Sequence, residues 1–423
     1  MQKAGTLVRV MLLASIVTAR VWAGDESVVH TKHNLSASGP GTVRAASEDQ
    51  VCIFCHAPHN ASPAIPMWNR HNPTTYYRIY RSSTMDARVD QPGGPSKMCL
   101  SCHDGSIALG LVVSRSPTDP IVMNQPFIPS GPSNLTNDLS DDHPIGLRFD
   151  RQLSNRDHQL RSPDMVSHQV KLGPKGQLEC TACHDPHNNE LGNFLRVTDR
   201  EGALCRTCHK MDGWDLSSHR RSPRSVPVAL TNGIAGQFRS MTDSACSSCH
   251  SVHNAASRPR LLNDRGSELC IKCHDGIGGL DMLPTLNQRS GHRFRRLRDV
   301  HEPNENPLLM RPHVECVDCH NPHAVMPNFT ANPLLGGGLQ GPLVPPAMSH
   351  VPGVRLSGAP NDKAVYYFEV CFRCHADNPV PTRRIFRQQD NSGNIRRQFL
   401  PTAASSHPVA RPHTFSNENP SLL

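Results

Sequence analysis

All sixteen cysteines of this chain fall in one phrase, Cys-x-x-Cys-His, which occurs eight times. The cysteine pairs are Cys52 and Cys55, Cys99 and Cys102, Cys180 and Cys183, Cys205 and Cys208, Cys246 and Cys249, Cys270 and Cys273, Cys316 and Cys319, and Cys371 and Cys374. The histidines that close them are His56, His103, His184, His209, His250, His274, His320 and His375. Two thiols at this spacing reach the two vinyl groups of a haem from one short turn, and the next histidine lies under the iron. That is the attachment signature of c-type haem. Zinc is the competing chemistry, because Cys180 and Cys183 with Cys205 and Cys208, or Cys246 and Cys249 with Cys270 and Cys273, have the spacing of a zinc ribbon. Zinc gives no reason for a histidine after every second cysteine. A redox dithiol needs one or two such pairs, not eight. The sequence therefore reads as eight covalently bound c-type haems, with no thiol left for a disulfide or a nucleophile.

A second histidine stands three residues after the first in alternate motifs, at His59, His187, His253 and His323. The other four motifs lack it, so the eight become four pairs. Behind each pair trails a further histidine, at His143, His219, His292 and His407. Eight proximal, four second and four trailing histidines are enough for two axial ligands on every iron. The second histidine is expected on the haem of the partner motif, since so short a step is awkward for its own iron. His33 and His168 are the natural replacements where a trailing histidine fails, and His30, His71 and His350 read as solvated. Trp68, Tyr76 and Tyr77 read as packing residues, with stacking on haem as the alternative.

The elements that must position these residues are short. The chain has 423 residues, 37% of them hydrophobic and only 5% aromatic, with 37 prolines and 29 glycines. So much proline and glycine opposes long helices and regular sheets. The expected fold is a multihaem cytochrome c type, mostly loops and short α-helices wrapped around a haem stack, with little β-sheet. Short helices are expected at 199–209 and 264–274, and a polar linker at 148–168. Residues 1–23 read as a secretory signal: Lys3 and Arg9, an apolar run at 10–17, and Val21-Trp22-Ala23 as the cleavage site. Four dihaem modules follow, at 24–147, 148–225, 226–300 and 301–423. No apolar run is long enough to span a bilayer.

The formal charge of +8 drops to +5 once Lys3, Arg9 and Arg20 leave with the signal. Up to sixteen ionised propionates then bring the loaded protein to about −11. A nucleic-acid partner is excluded on that ground, and the arginines read as propionate partners.

These residues resemble bacterial multihaem c-type cytochromes with the doubled Cys-x-x-Cys-His motif, of the kind found in metal-reducing bacteria. The similarity lies in Thr31-Lys-His-Asn-Leu-Ser-Ala-Ser-Gly-Pro-Gly-Thr42, in the block 52–60, and in His143-Pro-Ile-Gly146 and His407-Pro-Val409. The chain departs from it at His219 and His292, each followed by arginine. The resemblance implies electron transfer along stacked six-coordinate haems, in the periplasm or at the cell exterior. Its partners would be other redox proteins: an inner-membrane or periplasmic donor and an outer-membrane or extracellular acceptor. A bis-histidine iron has no open site, which suits a carrier better than an enzyme; Met/His ligation, which raises the potential, is not systematic here. A reductase of a small nitrogen or sulfur oxyanion is the alternative, and end-to-end assembly into an extracellular filament is a further one.

Overall fold

In the computed structural model, the described residues are 27–62, 67–227, 240–288, 292, 314–326, 337–338, 341–377, 394–400, 402–403 and 408–410. The expected signal at 1–23 and the trailing His407 lie outside them. The fold is loops and short helices, as the proline and glycine content requires. The two longest helices, Gly94–His103 and Tyr367–His375, each end on an attachment motif. The first carries Pro95 in its first turn, where a missing N–H costs nothing. The second is closed by a reciprocal cap between Tyr366 and Glu369. The strands among the described residues are two-residue ladders, such as Leu147–Arg148 against Gln177–Leu178. No described helix is long and apolar enough to cross a membrane.

Apolar side chains collect in small separate clusters. Phe54, Val112, Ala45 and Ile121 form one, and Phe368, Phe372, Ala376 and Ala410 another. The expected linker at 148–168 is less polar than its composition suggests. It carries the helix Arg151–Arg156, capped by Asp150, and buries Phe149 and Leu153 against Leu147. Between the clusters runs a continuous cavity of ≈ 2970 Å³, lined by the cysteines and histidines of seven motifs and by Arg373 of the eighth. A single small-molecule site occupies about 300–1,000 Å³. The space is that of several large ligands in a row.

The expected helices at 199–209 and 264–274 are present in shorter form, as Ala203–Cys208 after a 3-10 turn at Arg200–Gly202, and as Glu268–Ile271. Glycine at 202 has a specific cause. Its φ is +66°, and a Cβ there would stand 2.6 Å from the Cys246 sulfur.

Candidate haem-binding sites

Each attachment motif is one tight turn. The N–H of the closing histidine donates to the carbonyl of the first cysteine at His56 (2.8 Å), His184 (3.0 Å), His209 (2.8 Å), His250 (3.0 Å), His274 (2.9 Å) and His320 (2.9 Å). After the first motif of a module a strap returns alongside it. Asn69, Arg196 and Asn263 donate their N–H to the carbonyls of Cys55, Cys183 and Cys249. The strap also fixes the ring. Nδ1 of His184 lies 2.9 Å from the Asn193 carbonyl, that of His250 2.7 Å from Arg260, and that of His320 2.8 Å from Ala347. A ring nitrogen that donates to a carbonyl leaves Nε2 as the free lone pair, the arrangement usual for a metal-ligating histidine.

Histidine rings then meet in pairs. His56 faces His187 at 6.0 Å between ring centres, His184 faces His253 at 6.3 Å, and His250 faces His323 at 6.1 Å. His103 faces His33 at 6.2 Å, His209 faces His143 at 6.2 Å, His274 faces His219 at 6.3 Å, and His375 faces His292 at 5.9 Å. A metal–imidazole bond is about 2.0 Å and the ring centre lies about 1.1 Å behind the nitrogen, so two rings on one iron stand roughly 6.2 Å apart. The gap fits one metal, and in the near-parallel pairs it is too wide for face-to-face stacking. Burial supports the same use. It lowers His33, His184, His209 and His323 to about 4, which keeps these rings neutral and their lone pairs available at neutral pH.

The pairs run between modules, not within the motif pair expected from the sequence. The second histidine of one module faces the first motif of the module before it, as His187 does with His56. The trailing histidine faces the second motif of the module after it, as His143 does with His209. His33 occupies the trailing position in front of the first module: its Nδ1 lies 3.4 Å from the Pro186 carbonyl, as that of His219 lies 2.9 Å from Pro322. His59 is exposed, and among the described residues no ring faces it or His320. His168 is likewise exposed. Trp68 stands edge-on to His56 at 5.9 Å, Tyr77 is buried with its hydroxyl donating to Asp104 at 2.6 Å, and Tyr76 is exposed.

Neighbouring turns touch through sulfur. Within a module the second cysteines approach: burial and the neighbouring sulfur push Cys55, Cys183 and Cys249 up to about 12, the neighbours being Cys102, Cys208 and Cys273. Between modules the first cysteines are in hydrogen-bond contact, Cys99 with Cys180, Cys205 with Cys246, and Cys270 with Cys316. These sulfurs stand where thioethers to haem would be. Two of the between-module contacts are clasped by a serine and a glutamate. The Cys180 N–H donates to Ser96 Oγ at 3.1 Å while Ser96 donates to Glu179; the Cys316 N–H donates to Ser267 Oγ at 2.8 Å while Ser267 donates to Glu315. Both carboxylates are buried. At the middle contact the same two positions are Gly202 and Ala245.

Residues 173–213 and 240–279 match the doubled CXXCH motif family. They take in the third to sixth motifs. A multiheme cytochrome MtrA of Shewanella baltica (strain OS185) is 27% identical over 173 residues. That match covers 38% of this chain and 40% of the relative, so the chain matches well under half of that protein's length. With the turn geometry and the ring spacing, these findings support a multihaem c-type cytochrome. Haem bound at such motifs supplies one-electron chemistry between ferric and ferrous iron.

Proposed function

We propose that the chain binds eight c-type haems and passes single electrons along them in sequence order between redox partners outside the cytoplasm. The observation that carries this reading is the set of seven histidine pairs, each spaced for one iron. Two axial histidines fill an iron's coordination sphere, so electrons enter and leave by way of the porphyrin edge and no substrate binds. The alternating sulfur contacts favour consecutive order, from the first motif to the eighth. The chain's own work is to hold neighbouring turns together, to keep the rings neutral and to exclude water from the irons. Export is part of the proposal, resting on the basic and apolar start of the sequence and on where such cofactors are attached.

The purified protein should contain eight haems per chain by pyridine haemochrome assay, and its reduced spectrum should be low-spin and unchanged by carbon monoxide at the seven paired sites. Two haems or fewer per chain would end the proposal. A high-spin fraction reoxidised by nitrite or sulfite would replace the carrier with a reductase.

A further inference from the structure

Arg70 is one of the most deeply buried side chains of the protein, 1% exposed. It lies between two attachment turns. Its Nε donates to Ser101 Oγ at 3.1 Å, one terminal nitrogen donates to the Leu109 carbonyl at 2.8 Å, and the other donates to the carbonyls of Ser101 at 3.0 Å and Ala108 at 3.1 Å. Four of the five guanidinium N–H groups thus end on neutral protein oxygens. Among the described residues no carboxylate forms an ion pair with it. Arg70 is therefore a buried positive charge held at a fixed point by neutral oxygens. Burying such a charge without a counter-charge is costly.

The second module also brings an arginine to its first turn, Arg196 on the Thr181 and His184 carbonyls, but Asp185 pairs with it at 3.1 Å. Arg70 follows Asn69, whose N–H binds the carbonyl of the second cysteine; the residues after the equivalent Arg196 and Asn263 are Val197 and Asp264. In the fourth module, four residues beyond the carbonyl that holds the proximal ring, the position is Val351. That count gives Val197 and Asp264 from Asn193 and Arg260 as well. The same backbone site thus carries a buried cation in the first module, a valine in the second and fourth, and in the third an aspartate paired with Lys272.

From this difference we propose that Arg70 sets the reduction potentials of the first dihaem module, raising haem 1, at Cys52 and Cys55, above its counterparts haem 3 and haem 5. A ferric haem carries one more positive charge than a ferrous one, so a nearby fixed cation favours the ferrous state. Haem 2, at Cys99 and Cys102, feels the same charge, partly offset by the buried carboxylate of Asp104, which is held by Tyr77 and Ser106. Both second cysteines sense Arg70, but only Cys102 also senses Asp104. One electron leaving a ferrous iron further along the row and reducing the ferric iron of haem 1 thereby comes to rest at the first module. No bond forms or breaks, and His56 and His187 remain in place.

The inference rests on the haem reading, and the two fail separately: a protein without haem ends both, whereas a fully loaded protein with unmoved potentials ends this one alone. The test is a spectroelectrochemical titration of the full holoprotein, with haems assigned by redox-dependent shifts of their histidine signals. Arg70→Gln should lower haems 1 and 2 while leaving haems 3 and 5 in place, Arg70→Lys should stay near wild type, and Asp104→Asn should raise haem 2. Unmoved potentials in a fully loaded Arg70→Gln protein would overturn the inference, as would equal shifts in the Lys and Gln variants. Should Arg70→Gln not accumulate, the wild-type protein decides: haem 1 must titrate above haems 3 and 5, and the reverse order refutes the role.

Discussion

The first-motif and second-motif sites pair their histidines at nearly the same distance but at different angles. At His56/His187, His184/His253 and His250/His323 the ring planes are 18°, 29° and 9° apart. At His103/His33, His209/His143 and His274/His219 they are 65°, 81° and 68° apart, whereas the last second-motif pair, His375/His292, lies at 26°. The cause is the route by which the second ring arrives. Coplanar partners come from the step three residues beyond a motif, on the rigid strap side. Crossed partners are trailing histidines, anchored by carbonyls such as Pro186 and Pro322. Coplanar rings donate to one iron d orbital and split it from its twin; crossed rings donate to both and leave them nearly equal. With haem bound, one repeated motif would thus yield two electronic kinds of site, alternating over the first six motifs.

Removing one ring is the strongest way to break that comparison. His253→Ala should turn haem 3 high-spin and open to carbon monoxide, with loss of one coplanar low-spin signal in electron paramagnetic resonance. The crossed sites should keep their signals. Loss of a crossed signal instead would mean that the pairing is assigned to the wrong motif. A smaller effect is expected where a crossed site meets the next coplanar one. Gly202→Ser copies the serine of the other two contacts, but into a backbone at φ +66° and against the Cys246 sulfur. It should destabilise the loaded protein by about 2 kcal/mol, read as a lower denaturation midpoint. An unchanged midpoint would show that the middle contact has room for the clasp.

The same contact should differ in its response to pH. Burial holds the Asp199 carboxyl up at about 6, against hydrogen bonds from Ser247 and Cys205. It adjoins both Cys205 and Cys246, with Arg206 also acting on Cys246. Below this pH the group is neutral; above it, a carboxylate favours ferric iron on either side. The potentials of haems 4 and 5 should therefore fall as pH rises through about 6, and Asp199→Asn should remove that step. Redox titration at a series of pH values checks it. A step of equal size in the Asn variant would assign it to other groups.

Motif spacing and composition carried the tight turns at the motifs and the loop-rich fold, because those are fixed locally. They did not carry which ring meets which, since that depends on where the chain returns in the neighbouring module. His33 illustrates this: nothing near it in sequence marks it as a partner of His103. Arg70 was hidden for a related reason. Three of its four hydrogen bonds end on the backbone carbonyls of residues 101, 108 and 109, which leave no trace in residue type. Leu153 was lost in a polar stretch that folds as a capped helix, where one apolar side chain per turn is enough to anchor it.

The smallest expected effect is also informative. His59 has the same motif position as His187, His253 and His323, and by sequence it is as good a ligand. Those three reach back to the first motif of the preceding module, whereas before His59 the described chain holds no earlier motif to reach. His59 is exposed, and no described ring stands across from it. His59→Ala should leave all seven paired low-spin sites and the haem content unchanged, because a solvated side chain contributes within about 0.5 kcal/mol. If the variant instead loses a coplanar signal, the second histidine serves an iron by its motif position rather than by reaching back. The between-module pairing, and the alternation of angles built on it, would then have to be redrawn.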